Sequence, residues 1–407
     1  MTTQMGLSDP IGIAARLGLP GTMPLPDYQG GSLVNLMSTL IAARGGIAGY
    51  PTLRALSADE IGDTTTLVLL VIDGLGDDWL AAHSPRGVLA QHRRAALTSV
   101  FPPTTAAAIP TFLTGLAPQQ HGLTGWHMYL RELGSVMTIL PGCPRYGGAG
   151  YRAAGIDPQR LFAVRPVFDQ MKARSVAISP AHIAYSDFNR TFTRGAEIRP
   201  FQSLEAMFRI ACRLARRPRG SQYLYLYWPE LDRIGHEQGI ASAEAIAHLH
   251  AIETAVSDFL DAVAGTDTLL LVTADHGQID TEDSDRIDLT DYADLDACLA
   301  LPLCGEPRAA YCYLRPGRVE GFLDQARERL AYRAIVRPSA DLIDAGIFGP
   351  GTPHPRLRER VGDYTLLLQG AATIRDRLPF EDHHPLIGVH GGLSAAELHV
   401  PLAVLRS

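Results

Sequence analysis

The sequence is short of cysteine, of clustered positive charge and of long apolar runs, and each shortage removes a class of function. Its 407 residues include five cysteines, Cys143, Cys212, Cys298, Cys304 and Cys312. They are odd in number, widely spaced and form no CxxC pair, which argues against a disulfide framework or a zinc ribbon and for a reducing compartment. With 36 basic against 43 acidic residues, the formal net charge is −7. That balance is unsuited to holding a nucleic-acid polymer by bulk electrostatics. The one basic stretch, residues 213–218, reads as a solvated helix end. The strongly apolar run at residues 67–72 is far below the ~20 residues that a membrane helix requires. The opening segment MTTQMGLSDPIGIAARLG has neither a basic region leading into an apolar one nor a cleavage-site pattern. No repeat with a period of roughly 20–50 residues is evident, and no segment is of low complexity. The expectation is a soluble, cytoplasmic protein with no membrane and no nucleic-acid partner.

What is present is apolar content and histidine. Hydrophobic residues make up 46% of the chain, enough for a large core, and 14 histidines exceed what packing needs. The length suits one large domain with insertions or two smaller ones. TTLVLLVIDGLG reads as a buried strand, its apolar residues unbroken up to Asp73-Gly74, and TLLLVTADHG at residues 268–277 repeats the form. Two further strands are expected at residues 175–179 and 222–230. Helical patterns fall at residues 33–44, in VFDQMKAR, in LEAMFRIACRLARR and over residues 241–263. Apolar strands alternating with amphipathic helices predict an α/β fold, a three-layer α/β/α sandwich around a mostly parallel sheet. Residues 61–280 and 377–407 are expected to form this core. Residues 281–376, with strand-like AAYCYLR and DYTLLLQ around a helical EGFLDQARERL, read as a small inserted α/β lid, and residues 1–60 as an extension packing on the core.

In such sheets ligands gather beyond the carboxyl ends of the strands. Five segments there offer hard or borderline metal ligands: Asp73, Thr104 with Thr105, Asp232 with His236, Asp275 with His276, and His390. Singly, each is matched by a plain turn, a helix-face pair or an N-cap. Together, and counting one threonine, they supply seven donors of mixed Asp/His type, the number and kind that two zinc or manganese ions need.

The order of these segments resembles the alkaline phosphatase superfamily, and within it the type I phosphodiesterase/nucleotide pyrophosphatase family. The resemblance rests on Asp73-Gly74, the FPxxT of Phe101 to Thr105, Thr114-Gly115, His121-Gly122, Asp232 with His236, Asp275-His276-Gly277 and His390-Gly391. HGGLSAAELHVPL is similar to the closing motif of metal-dependent phosphoglycerate mutases of the superfamily. The resemblance covers the core, roughly half of the chain. It implies two divalent metal ions, zinc first and manganese as the alternative. One would be held by Asp232, His236 and His390, the other by Asp73, Asp275, His276 and the Thr105 hydroxyl. It places the nucleophile at Thr105 and not Thr104, and implies double displacement through a phosphothreonine. An aliphatic hydroxyl needs such help, because it is almost never ionised at neutral pH. Ala106, Ala107 and Ala108 would let a phosphate approach the first helical amides.

Two departures stand out. The diesterase branch usually carries Pro-Asn after the nucleophile, the Asn holding a phosphate oxygen, where this chain has Ala107-Ala108; and Pro110 predicts a short first turn or a kink. His121 reads as a packing residue or a support behind the ligands and not as a ligand, and His383 and His384 as lid or rim residues, one of which could displace His390. Trp126, His127 and Tyr129 are candidates for the pocket wall, and YLYLYW for core on one face and wall on the other. The function implied is that of a two-metal phosphodiesterase or nucleotide pyrophosphatase acting on a small phosphate ester or nucleotide. The alternatives are a phosphomonoesterase, phosphonate hydrolase or phosphomutase on the same site, or a catalytically weak protein that holds metals and binds a ligand. No C-x-P-x-R or S-x-P-x-R segment is present to make a sulfatase nucleophile.

Overall fold

The strand Thr66–Ile72 is buried along all seven residues, and because its side chains alternate between faces, both faces of the sheet are covered. The computed structural model describes residues 10–379, 381 and 385–407. Thr66–Ile72 is the central strand of a seven-stranded sheet, ordered Arg93–Thr98, His399–Arg406, Thr268–Thr273, Thr66–Ile72, Gln222–Trp228, Arg174–Pro180 and Glu197–Phe201. Its neighbours Gln222–Trp228 and Thr268–Thr273 pair with it in parallel. His399–Arg406 runs antiparallel to both of its neighbours. The helices Leu204–Arg216 and Ala243–Ala262 pack on one another, as do Leu33–Ala43 and Thr105–Thr114, and the buried cluster joins them to the sheet. This is the expected three-layer α/β architecture.

A second seven-stranded sheet is antiparallel throughout: Ala334–Pro338, Tyr364–Leu368, Ala309–Cys312, Cys304–Glu306, His127–Leu130, Ser135–Thr138 and Cys143–Pro144. Three of these strands come from residues 127–144, far ahead of the other four in sequence. Phe322, Ala326 and Leu330 of the helix Val319–Leu330 fill a cluster with Ala310, Cys312, Leu366 and Leu368. Ala309, Tyr311 and Leu367 face a different cluster, which also holds Leu17, Leu19, Phe101 and Phe348. The period-two alternation of each strand thus separates two small cores.

One expectation fails outright. VFDQMKAR is not a helix beyond the single turn Val167–Asp169. Val167, Phe168 and Met171 are all drawn into the core, and the Lys172 N–H is taken by the Arg44 carbonyl instead of a helical neighbour. Of the short first turn or kink expected at Pro110, the short turn is not found: Thr105–Thr114 continues through it for ten residues, all buried, and ends at Gly115 in the left-handed conformation. Proline forfeits one backbone bond, and complete burial together with hydroxyl bonds from Thr111 to the Ala107 carbonyl and from Thr114 to the Pro110 carbonyl holds the helix. Residues 213 and 216–218 are exposed, as a solvated helix end should be. All five cysteines are free thiols, and among the described residues no helix is long and apolar enough to cross a membrane.

Candidate active site

Register brings the candidate segments to one edge. Ile72 pairs with Trp228 and Val71 with Thr273, so the residues that follow these three parallel strands emerge side by side. His399 pairs with Thr98, which brings the loops of His390 and Thr105 to the same edge. Gly74, at φ +79°, is a place where glycine is required: a Cβ there would lie 3.0 Å from the Asp232 Cα. The strand end and the helix Glu230–Gln238 can therefore meet.

Asp232 and His236 are four apart on that helix and share a face. His236 Nδ1 lies 2.7 Å from the Gly388 carbonyl, which turns Nε2 toward Asp232 Oδ2 at 3.1 Å. His276 Nε2 is 3.2 Å from Asp73 Oδ1 and 3.5 Å from Asp275 Oδ2. The His276 and His390 rings stack with centroids 3.7 Å apart. Two donor clusters result, each with its ligand atoms within 4.8 Å of one another: Asp232, His276 and His390, and Asp73, Asp275 and His276. Thr105 Oγ1 sits against the second, 3.1 Å from His276 Nε2 and 3.4 Å from each Asp73 oxygen. Thr105 is the first helical residue, and Thr104 occupies the N-cap position.

The electrostatics describe a site built for cations. Burial, and then the neighbouring Asp275 and Asp232, raise the Asp73 carboxyl well above its ordinary range. Burial and Asp232 also raise Asp275, although His276 opposes them. Burial pulls His236 down, but the Asp232 carboxylate outweighs it and lifts the imidazole to about 9. His390 is pushed well below the ordinary range by burial and by His276. Asp275 Oδ2 has no hydrogen-bond partner among the described residues. Buried carboxylates that repel one another, with one oxygen unpartnered, fit divalent cations, which reverse each of these penalties.

Residues 67–335 match the profile of the type I phosphodiesterase / nucleotide pyrophosphatase family. The chain belongs to that family. This family assignment makes it a phosphoric-ester hydrolase. A solved structure of murine ectonucleotide pyrophosphatase/phosphodiesterase 5 is similar over 83% of this chain and 87% of its own, with a TM-score of 0.61 and 18% identity. An inactive form of that protein with a threonine replaced by alanine, in complex with AMP, matches equally well. Phosphonoacetate hydrolase from Sinorhizobium meliloti, in complex with phosphonoformate, gives a TM-score of 0.62 at 18% identity, covering 84% of this chain and 90% of its own. At these identities the likeness is one of fold. No curated protein matches significantly.

In this family member two cavities meet at Thr105. One, of about 720 Å³, is walled by Ile109, Leu113, Leu140, Phe188, Tyr225 and Tyr227. The other, of about 450 Å³, lies toward His127, Glu306 and His390. Trp126, Asp232, His236 and Leu386 border both. Trp126 and His127 are thus wall residues, whereas Tyr129, on the antiparallel sheet, packs edge-on against Tyr313. Tyr225 and Tyr227 border the larger cavity, but Tyr223 and Tyr225 also belong to the buried core with Leu224 and Leu226, so the wall expected of YLYLYW is confined to the end of the strand. His121 is a packing residue: it is fully buried, its Nε2 lies 3.2 Å from Thr111 Oγ1, and its Nδ1 accepts from the Leu123 N–H. Burial pushes it down to about 3. His383 and His384 lie outside the described residues.

Three contacts escaped the motif analysis. The Gln278 amide donates to both the carbonyl and the carboxylate Oδ1 of Asp232, and its place directly after Asp275-His276-Gly277 was the available signal. The Tyr227 hydroxyl donates to Asp73 Oδ2, and its position five residues before Asp232 could have suggested it. Glu306 accepts from the Thr104 hydroxyl and the Trp126 N–H, each at 2.7 Å. Nothing in its local sequence, CGEPRAAY, marks it.

Proposed function

We propose that the protein is a two-metal phosphodiesterase or nucleotide pyrophosphatase that works through a phosphothreonine on Thr105. The observation that carries this reading is the Thr105 hydroxyl, 3.1 Å from His276 Nε2 and 3.4 Å from both Asp73 oxygens, at the start of a buried helix. Asp232, His236 and His390 would hold one ion, and Asp73, Asp275, His276 and Thr105 the other. Zinc suits these mixed nitrogen and oxygen donors, with manganese as the alternative. When bound, the ions polarise phosphoryl oxygens and ease deprotonation of the attacking hydroxyl and water.

Thr105 Oγ attacks phosphorus as the bond to the leaving alcohol or phosphate breaks, and water then attacks the phosphothreonine, releasing the product phosphate and restoring the hydroxyl. The N–H groups of Thr105 and Ala106 head the helix, have no intrahelical acceptor, and can receive a phosphoryl oxygen. Alanines at positions 106–108 leave that approach open, and this offers a substitute for the asparagine of the diesterase branch. Two cavities meeting at the nucleophile favour a diester, whose two substituents need separate space, over a monoester.

A panel of mono-, di- and pyrophosphate esters and a phosphonate, assayed with zinc and with manganese, tests the reading. The expected result is highest kcat/KM on a diester or pyrophosphate ester. Turnover confined to the monoester or the phosphonate would transfer the site to the alternative reading, and no turnover at all would remove the enzyme reading. Independently of activity, purified protein should carry close to two transition-metal ions per chain. Metal at about 100 times its dissociation constant should stabilise the fold by about 2.7 kcal/mol per ion, about 5.4 kcal/mol for two, relative to chelator-treated protein. Elemental analysis and denaturant unfolding check this, and a protein that neither retains nor responds to metal would overturn the ligand assignment.

A further inference from the structure

Glu306 is an acidic side chain from the antiparallel sheet set deep against loops of the parallel one. It is 6% exposed and lies on the strand Cys304–Glu306. A single carboxylate oxygen, Oε1, takes both the Thr104 hydroxyl and the Trp126 N–H at 2.7 Å. The third segment it touches is that of His390: Gly391, at φ +104°, is so close that a Cβ there would lie 2.7 Å from the Glu306 Cβ. The strand can enter this far because glycines meet at its side, a Cβ on Gly125 falling 2.6 Å from the Gly305 Cα. Burial raises the Glu306 carboxyl to about 7, against the pull of its two donors.

Thr104 is the N-cap residue directly before Thr105, yet its hydroxyl caps nothing in its own helix. An N-cap threonine ordinarily spends that hydroxyl on an amide of the first turn, for about 1 kcal/mol. Here the hydroxyl donates to Glu306, 202 residues away, its oxygen accepts from no first-turn amide, and the Thr105 and Ala106 amides are left for a ligand. The arrangement fixes the backbone beside the nucleophile from outside the helix.

Building on the phosphothreonine reading above, we propose that Glu306 is a positioning residue for the nucleophile, setting the orientation of Thr105 by holding Thr104 and fixing Trp126 at the border of the two cavities. Its hydrogen bonds go to Thr104 and Trp126 and to no proposed metal ligand, so its effect on the nucleophile passes through geometry. Misplacing a reacting atom by about 1 Å costs on the order of 100-fold in rate.

The test is a double-mutant cycle of Glu306→Ala and Thr104→Val, with Glu306→Gln as the conservative variant, read as kcat and KM on a diester and as affinity for inorganic vanadate. Glu306→Ala and Thr104→Val should each lower kcat about 10- to 100-fold, with KM and metal content little changed, and the double variant should be no worse than either single one. Glu306→Gln keeps an acceptor oxygen and should retain kcat within about threefold. Losses that multiply in the double variant, or a glutamine variant as slow as the alanine one, would overturn the proposal, the latter pointing to a role for charge. Should Glu306→Ala not fold, Thr104→Val and Glu306→Gln still decide: normal turnover in the first refutes the role. Should the wild-type protein hydrolyse no ester, the functional reading fails by itself. The cycle is then read from vanadate affinity, where coupled losses support positioning and independent losses, or none, refute it.

Discussion

Thr105→Ala is expected to lower diester turnover by at least about 10³-fold, the scale on which loss of a nucleophile acts, while metal content falls little. The two effects separate because the proposed mechanism gives Thr105 two unequal parts. As an attacking group it has no neighbour to replace it, since the adjacent hydroxyl of Thr104 is committed to Glu306. As a ligand it is one of four, and the remaining Asp73, Asp275 and His276 still converge within 4.8 Å. The substitution trims a small side chain already 9% exposed at the cavity surface, so folding stability should change by less than about 1 kcal/mol. Thr105→Ser keeps a hydroxyl in place and should recover much of the rate. Initial rates on a chromogenic diester, elemental analysis and denaturant unfolding on the same preparations decide the matter. Unchanged turnover in the alanine variant would mean that another group attacks phosphorus, and loss of both metals with the activity would recast Thr105 as a ligand alone.

The parts legible in the sequence were those whose physics is local. Thr66–Ile72 and Thr268–Thr273 are buried on both faces, so they read as unbroken apolar runs, and the polar residues that end them stood out. Arg93–Thr98 was missed because it lies at the sheet edge, with its first residues exposed and charged. His399–Arg406 was seen only as the tail of a motif. The seven candidate donors could be named, but their distribution was beyond reach: His276 sits within both donor clusters, a consequence of sheet register that no spacing encodes. Glu306 was invisible for a different reason. Its partners, Thr104 and Trp126, are 202 and 180 residues away and bind it through a hydroxyl and a backbone amide. The helix over residues 167–174 was misread because buried apolar residues at helical spacing can also arise in a turn pinned by its neighbours, here the Arg44 carbonyl.

Arg308→Met is expected to cost about 3–5 kcal/mol of folding stability, the usual penalty for stripping one partner from a buried ion pair. Arg308 follows the strand that carries Glu306 and is 1% exposed in its side chain, and Glu397 is fully buried. The guanidinium meets the carboxylate with two parallel bonds, Nε to Oε1 at 3.0 Å and Nη2 to Oε2 at 2.7 Å, and gives a third, at 2.6 Å, to the Ala372 carbonyl. Glu397 in turn accepts from the Gly392 N–H at 2.7 Å and the Ser394 hydroxyl at 2.6 Å, and so ties down the loop that follows His390. Burial would raise the Glu397 carboxyl, but Arg308 and the loop donors hold it below its ordinary range. A depressed carboxylate stabilises the fold above its unfolded pKa of about 4.3, and that contribution fades as pH falls through its folded value. In Arg308→Met the sign reverses: Glu397 is buried without a counter-ion, its pKa rises, and the variant should lose more stability than the wild type as pH climbs from about 5 to 8. Arg308→Met with Glu397→Leu removes both charges and should recover much of the loss, because an apolar pair has no uncompensated charge to bury. Urea unfolding of the four proteins at two pH values supplies the measurement. A single-variant loss below about 1 kcal/mol, or losses that add in the double variant, would show that the pair contributes little across the two sheets. A coupled loss would show that the loop following His390 is tied to the antiparallel sheet, through the same hairpin that carries Glu306.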